Sequence, residues 1–252
     1  MKKLTMYMVT HKQTDFVPKG RTPIFVGGGN PPAGYITDRT GDNISSKNKN
    51  YCELTAVYWI WKNDAQSDYV SIEHYRRFFM SERSLSVAKS EKISAYLDEY
   101  DAVASRFYTV VPTIRKRYYK GHYGCDLEAA EKSIKNHFPE YIDTFNKVVD
   151  GDQASMFNMI ALSKENFDKY CEWLFTILSD VEAEVDLTER DSYQQRAYGF
   201  LSERLMNVWI AQNKLNVKRV PIYYHDDNRI IAALKSLKKR KNHVKSQLTG
   251  GK

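Results

Sequence analysis

The chain has 252 residues, 42% of them hydrophobic and 13% aromatic, enough apolar material for one large domain or two small ones and too much for disorder throughout. Net charge is +7, but the eight Lys and Arg from Arg229 onward face no acid, so taking those eight from +7 leaves residues 1–228 at about −1. A near-neutral body speaks against a nucleic-acid-binding protein, which needs its positive surface on the folded domain.

"LTMYMVT", Leu4 to Thr10, is short and rich in β-formers, and reads as a first buried strand. The two lysines before it resemble the start of a leader, yet His11 and Lys12 close the apolar run within a few residues, so no leader is expected. "PIFVGGGN" predicts a second strand, Ile24 to Val26, ended by a glycine turn. Asn30-Pro31-Pro32 stops a helix from starting there, so the triple glycine is no dinucleotide fingerprint.

"TGDNISSKNKNYCELTAVYWIWKN" follows as a polar loop, Thr40 to Lys49, leading into a helix with Leu54, Val57, Tyr58 and Trp61 at spacings of three and four. Asn48 or Asn50 is the expected N-cap, with Glu53 in the first turn favouring the helix dipole. Such a helix start is also a ready anion site. "SDYVSI" predicts a strand, "SLSVAKSEKISAYLDEY" a helix and "DAVAS", Asp101 to Ser105, another strand. The basic, aromatic "RFYTVVPTIRKRYYKGHYG" reads as a long mobile loop.

Helices are expected at Leu127 to Asn136, Pro139 to Val149, Lys164 to Leu178 and over "AYGFLSERLMNVWIAQN", with a late strand in "VKRVPIYY". Alternating strands and helices make the class α/β. From Arg229 to Lys252, Ile230, Leu234, Leu237, Val244 and Leu248 fall near helical period among lysines and arginines. That pattern suits either an amphipathic helix on an anionic membrane or a solvated C-terminus. Three distant cysteines, Cys52, Cys125 and Cys171, without CxxC spacing, suggest neither disulfides nor zinc and fit a reducing cytoplasm.

In open α/β sheets, ligands collect at the carboxyl ends of strands. Three polar segments are expected beside strands: Thr10-His11-Lys12, Glu73-His74-Tyr75-Arg76-Arg77 and Asp150-Gly151-Asp152. The second combines a carboxylate and an imidazole with two guanidinium groups able to neutralise a leaving diphosphate. It reads equally well as a surface loop whose Glu and Arg pair with each other. The chain has no GxSxG, HExxH or P-loop motif.

Four blocks in order, "ISSKNKNYCELTAVYWIWKN", "DYVSIEHYRRFF", "MFNMIALSKENFDKYCEWLF" and "GFLSERLMNVWI", resemble the bacterial capsular and exopolysaccharide glycosyltransferases once known only as a domain of unknown function, some of which are galactofuranosyltransferases. The resemblance implies a single GT-A-like nucleotide-sugar-binding domain over residues 1–228, with a mixed central sheet flanked by helices and a helical C-terminal part, followed by a basic amphipathic tail over 229–252. It implies a UDP-sugar donor, a saccharide or lipid-linked saccharide acceptor, a hexosyl group (galactofuranosyl in some members), and a place at the inner face of the cell membrane.

The family's Asp-x-Asp position reads Glu73-His74-Tyr75 here. Either Glu73 and His74 share a divalent metal, Mn or Mg, with the diphosphate, or Arg76 and Arg77 replace it; the second is preferred. The resemblance puts the base of an inverting reaction at Glu203, with Asp152 second, and the donor near Thr10, His11, Asp42, Asn43, Ser45 and Asn48. Arg106 to Tyr123 would form a lid or acceptor platform. A nucleic-acid-binding protein using that loop and the tail, or an inactive scaffold of a polysaccharide assembly complex, are the readings from other classes.

Deletion of residues 229–252 is expected to release the protein from anionic vesicles in a flotation assay while leaving donor binding intact. Retained vesicle affinity would count against the membrane role of the tail.

Overall fold

Among the described residues, β1 (Leu4–Thr10) runs through the middle of a nine-stranded sheet, and its apolar residues alternate between two buried faces. The computed structural model describes residues 2–82 and 84–225, so the amphipathic helix expected over 229–252 lies outside the described residues. β1 pairs in parallel with β2 (Arg21–Phe25) on one side and, across α1 (Asn48–Tyr51) and α2 (Leu54–Asn63), with β4 (Tyr69–His74) on the other; β3 (Ile36–Thr37) extends the edge beyond β2. β5 (Arg77–Phe79) turns back antiparallel from β4. After α3 (Ser90–Glu99) come β6 (Ala102–Ser105) and the short β7 (Tyr108–Thr109), then α4 (Ile114–Gly121), α5 (Gly124–His137) and α6 (Ile142–Val149).

β8 (Gln153–Ala154) pairs with β7, and β9 (Ile160–Ser163) enters the main sheet antiparallel between β4 and β6. α7 (Lys164–Glu184), α8 (Ala197–Gln212), β10 (Val217–Val220) and β11 (Ile222–Tyr224) complete the described chain, with β10 parallel to β6 and β11 antiparallel to β5. The sheet is therefore mixed, flanked by helices as expected. Among the described residues no helix is long and apolar enough to cross a membrane.

Tyr7, Val9, Val70 and Ile72 face a large cluster with α2, α5, α7 and α8, whereas Met6, Tyr69, Val103 and Ala161 face a smaller one closed by Ile93 and Leu97 of α3. α7 exists because Phe167, Tyr170, Cys171, Leu174, Leu178 and Val181 recur at helical spacing and are all buried, each large side chain contributing roughly 1.5–3 kcal/mol. Ser163 starts it by accepting the amide of Asn166.

Several elements differ from the sequence expectation. β9 has no alternation because both its faces are buried, and that hides it within "MFNMIALSK". The expected mobile loop of Arg106 to Tyr123 is ordered: Thr113 caps α4 by accepting the Lys116 amide, and Ile114 and Tyr118, four residues apart, are buried. The helix expected from Asn48 or Asn50 is split by Cys52, whose φ of 53° lies in the left-handed region. Glu53 therefore precedes α2 instead of occupying a first turn. The single late strand is two, separated at Pro221.

The register sets Met6 beside Arg21 and Met8 beside Glu73, on the α3 side of the sheet. There Arg21 grips Glu73 with two nitrogens, Nε to Oε2 at 2.8 Å and Nη2 to Oε1 at 3.2 Å, and the amide of Phe79 adds a third bond at 2.7 Å. Arg21→Met should strand a buried carboxylate and cost about 3–5 kcal/mol in urea unfolding, and the double variant Arg21→Met/Glu73→Leu should recover most of the loss. A single variant as stable as the parent would contradict this account.

Candidate active site

Where β1 and β4 end, a cavity of about 1340 Å³ opens. Its floor is Val9, Thr10 and His11 from β1 together with the turn His74-Tyr75-Arg76-Arg77. α1 and its end contribute Asn48, Lys49, Cys52 and Glu53, α8 contributes Phe200, Glu203 and Arg204, and α4 with the segment before α8 forms the far wall through Arg117, Lys120, His122, Tyr193 and Arg196. Among the described residues, seven Lys and Arg thus face two carboxylates. Although the chain body is near neutral, its cavity is strongly positive, which suits a ligand carrying several negative charges.

Of the residues expected from the sequence, the cavity collects Thr10, His11, Asn48, His74, Tyr75, Arg76, Arg77 and Glu203. Five others lie outside its lining. Glu73 points to the opposite face of the sheet, fully buried against Arg21, because neighbouring strand residues alternate. Asp42 accepts from the Tyr58 hydroxyl, and Asn43 folds its carbonyl onto the amide and hydroxyl of Ser45, so those three build the loop before α1. Asp152 is exposed beside β8.

A metal site at Glu73 and His74 fails for the same alternation: the two side chains leave the strand on opposite faces, and among the described residues no three His, Cys, Asp or Glu gather as a ligand set. Glu73 already has Arg21 and the Phe79 amide as partners. The residues present at this position do not fit a shared cation.

Glu203 is the cavity carboxylate with the most defined setting. Its Oε1 accepts the Phe157 amide at 3.2 Å and its Oε2 accepts Arg204 Nη1 at 2.8 Å, while its side chain is only 17% exposed. Burial pushes its pKa up, Arg204 opposes this, and the negative charge of Glu53 adds to the rise. His74 donates Nε2–H to the Phe157 carbonyl, since a carbonyl only accepts, and burial holds its pKa down so that it is neutral near pH 7. Arg77 stacks its guanidinium on the Phe157 ring at 4.4 Å, and Arg76 lies 4.9 Å from the centre of the Tyr75 ring. Burial pushes the Cys52 thiol up to about 11, which makes it a poor nucleophile beside Arg196.

Two groups of cavity residues lie outside the sequence expectations for the site. Glu53 has only a helix-dipole role in the sequence reading, although an acid ahead of an amphipathic helix is a recognisable signal. Arg117 and Lys120 belong to the segment expected to form a lid or acceptor platform and do line the cavity, but from a rigid helix that the Thr-x-x-Lys start with Ile114 and Tyr118 announces. Arg196 and Tyr193 carry no local signal, because only the approach of α8 to α1 brings them in.

Glu203 is held more readily protonated in the fold than in the unfolded chain, so its contribution to stability is greatest below the ordinary carboxylate range and is lost as pH rises through its folded value. Thermal unfolding of Glu203→Gln should accordingly gain on the parent as pH rises from 4 to 8. A difference between the two that stays constant with pH would show that Glu203 titrates normally.

The family model described as a domain of unknown function (DUF4422) matches residues 5–214. Among solved structures, the chain is similar to the bifunctional glycosyltransferase WbbM in its apo form, with a TM-score of 0.79 and 28% identity over 89% of this chain and 46% of that one. The chain thus spans less than half of that relative. A weaker match, the mannosyltransferase Ktr4p from S. cerevisiae, has a TM-score of 0.33 and 9% identity over 82% of this chain and 62% of that one, and carries no argument. No curated protein sequence matches. The α/β fold with its mixed central sheet is that of a glycosyltransferase structure, and the chain belongs to the DUF4422 family.

Proposed function

We propose that this protein is an inverting glycosyltransferase that moves a hexosyl group, galactofuranosyl in the reading favoured by the sequence resemblance, from a UDP-sugar to a saccharide acceptor of a growing surface polysaccharide. The observation that carries the reading is one cavity at the carboxyl ends of parallel strands that holds both a cluster of arginines and a half-buried, hydrogen-bonded carboxylate, Glu203. Likeness to WbbM over most of this chain supports it.

In the proposed reaction the acceptor hydroxyl attacks the anomeric carbon in line with the bond to the diphosphate. The new bond is acceptor oxygen to anomeric carbon, the broken one is anomeric carbon to phosphate oxygen, and the electron pair departs with UDP. Glu203 takes the acceptor's proton; its raised pKa makes it a stronger base than a surface carboxylate, and the Arg204 and Phe157 contacts hold its two oxygens in place. Arg76 and Arg77 at the β4–β5 turn offset the negative charge that grows on the diphosphate, without a metal. In this reading Thr10 and His11 at the end of β1 and Asn48 of α1, all on the cavity wall, are the groups that meet the nucleoside.

The exposed Tyr193 and Val111 on the far wall offer apolar and aromatic faces for a saccharide chain, and Arg117 and Lys120 offer charge for a phosphate-bearing carrier. A lipid-linked acceptor would place the protein at the inner face of the membrane, where a basic tail is useful.

Calorimetry with UDP and UDP-sugars tests the donor site: binding should survive a chelator, and Arg76→Ala and Arg77→Ala should each weaken it by about 10- to 100-fold, the worth of a charge-assisted hydrogen bond of about 1.5–3 kcal/mol. Glu203→Gln should leave UDP affinity unchanged while lowering transfer by about 10²–10⁴-fold. Failure to bind any nucleotide sugar at millimolar concentration would overturn the proposal, and donor binding without transfer or hydrolysis in any acceptor panel would favour an inactive scaffold.

A further inference from the structure

Between β8 and β9 the chain makes a turn that no sequence motif announces. Phe157 and Asn158 are consecutive non-glycine residues with φ of 77° and 51°, both left-handed. Such conformations persist only where the surroundings impose them, and they gather at functional sites. Here the surroundings are the cavity groups themselves. The Phe157 amide binds Glu203, its carbonyl receives His74 and its ring carries Arg77. Asn158 is 4% exposed and donates Nδ2–H to Glu53 Oε1 at 2.7 Å and to the Gly199 carbonyl at 3.2 Å.

Gly199 lies one helical turn before Glu203 on α8, and helical side chains lean back toward the preceding turn. Glu53 Oε2 sits against that same turn, 3.9 Å from where a Cβ on residue 199 would stand. The two carboxylates of the cavity are thereby brought onto one patch of α8, and Asn158 ties the Glu53 side of it. Asn158 is not part of the cavity wall, so it acts through Glu53 and not on a ligand.

We propose that Asn158 is a positioning residue that pins Glu53 beside Glu203 and so makes the two a coupled carboxylate pair, in which Glu53 is the partner that tunes the base. The inference rests on the reading of Glu203 as that base. The charged groups facing Glu203 are Arg204 on α8, Arg77 on β5 and Glu53 ahead of α2, with the Phe157 amide as a neutral donor; His74 on β4, Cys52 at the end of α1, Tyr170 on α7 and Arg196 just before α8 face Glu53 in turn. Of these, Glu53 alone favours the protonated form of Glu203, so holding it close strengthens the base near neutral pH. Released, Glu53 would swing toward solvent and the surrounding arginines would leave Glu203 a weaker base.

The test is a double-mutant cycle read by carboxyl carbon NMR on the full-length chain, with the Glu203 resonance assigned by its loss in Glu203→Gln. Asn158→Gly keeps the left-handed backbone and removes only the amide tether. Asn158→Gly and Glu53→Gln should each lower the Glu203 titration midpoint, and Asn158→Gly should add nothing in the Glu53→Gln background. In transfer assays the acid limb of the kcat/KM profile should move to lower pH and kcat should fall about tenfold or more, with donor KM and UDP affinity within about twofold of the parent.

An Asn158→Gly protein with an unchanged midpoint, or one that shifts equally with and without Glu53, overturns the proposal. Should that variant not fold, the Asn158 side-chain amide of the unmodified protein must shift with the titration of the pair, and an amide indifferent to pH overturns it equally. A parent protein that transfers no sugar sinks Glu203 as a base, whereas an unresponsive midpoint in an active enzyme sinks the pairing alone.

Discussion

Everything at this site depends on the alternation of β4 at its carboxyl end. Glu73 leaves the strand toward α3 and is locked to Arg21 of β2 by a bidentate ion pair across β1, with the Phe79 amide as a further donor. His74 leaves on the other face and meets the Phe157 carbonyl. One residue is an anchor and the next is a site residue, because a strand has a period of two. A slip of one residue would put a carboxylate into the cavity and an imidazole under the sheet, so the buried ion pair fixes the register on which the Tyr75-Arg76-Arg77 turn is delivered.

That anchoring explains how a chain body of almost no net charge holds a strongly positive cavity. Acids are spent elsewhere: Glu73 on Arg21, Asp126 on Arg190, and Asp150 and Glu131 on Arg115. Within the cavity Arg76, Arg117 and Lys120 have no carboxylate partner among the described residues, and only Glu53 and Glu203 oppose them. A ligand carrying several negative charges would meet cations that are already placed and not paired with a carboxylate, which is the preorganisation that charge stabilisation requires.

The same economy governs the carboxylates. Glu203 is buried enough to bind its proton tightly yet keeps two hydrogen bonds that define its direction, and Glu53 is held by an amide from a left-handed turn. The strain of Phe157 and Asn158 is met by four contacts to cavity residues and one to α8, so the turn is a hub and not a loose connection. It sits at the entry to β9, the antiparallel strand between β4 and β6, and so couples the sheet centre to the site.

The sequence by itself determined the alternation of strands and helices, the glycine turn after β2 and the apolar stripes of α7 and α8, because local periodicity and turn chemistry are written in consecutive residues. It also singled out His74, Arg76 and Arg77 at a strand end and, through the family resemblance, Glu203; the four share one cavity. Tertiary structure decided the rest. Glu73 reads as a site residue because it is a carboxylate at the carboxyl end of a strand, and only the distant Arg21 shows that it is buried on the other face. Asp42, Asn43 and Ser45 looked like ligand groups but satisfy their own loop. Arg196 and Asn158 enter through contacts between residues 41 to 144 positions apart, and no local pattern can carry information about a neighbour that far along the chain.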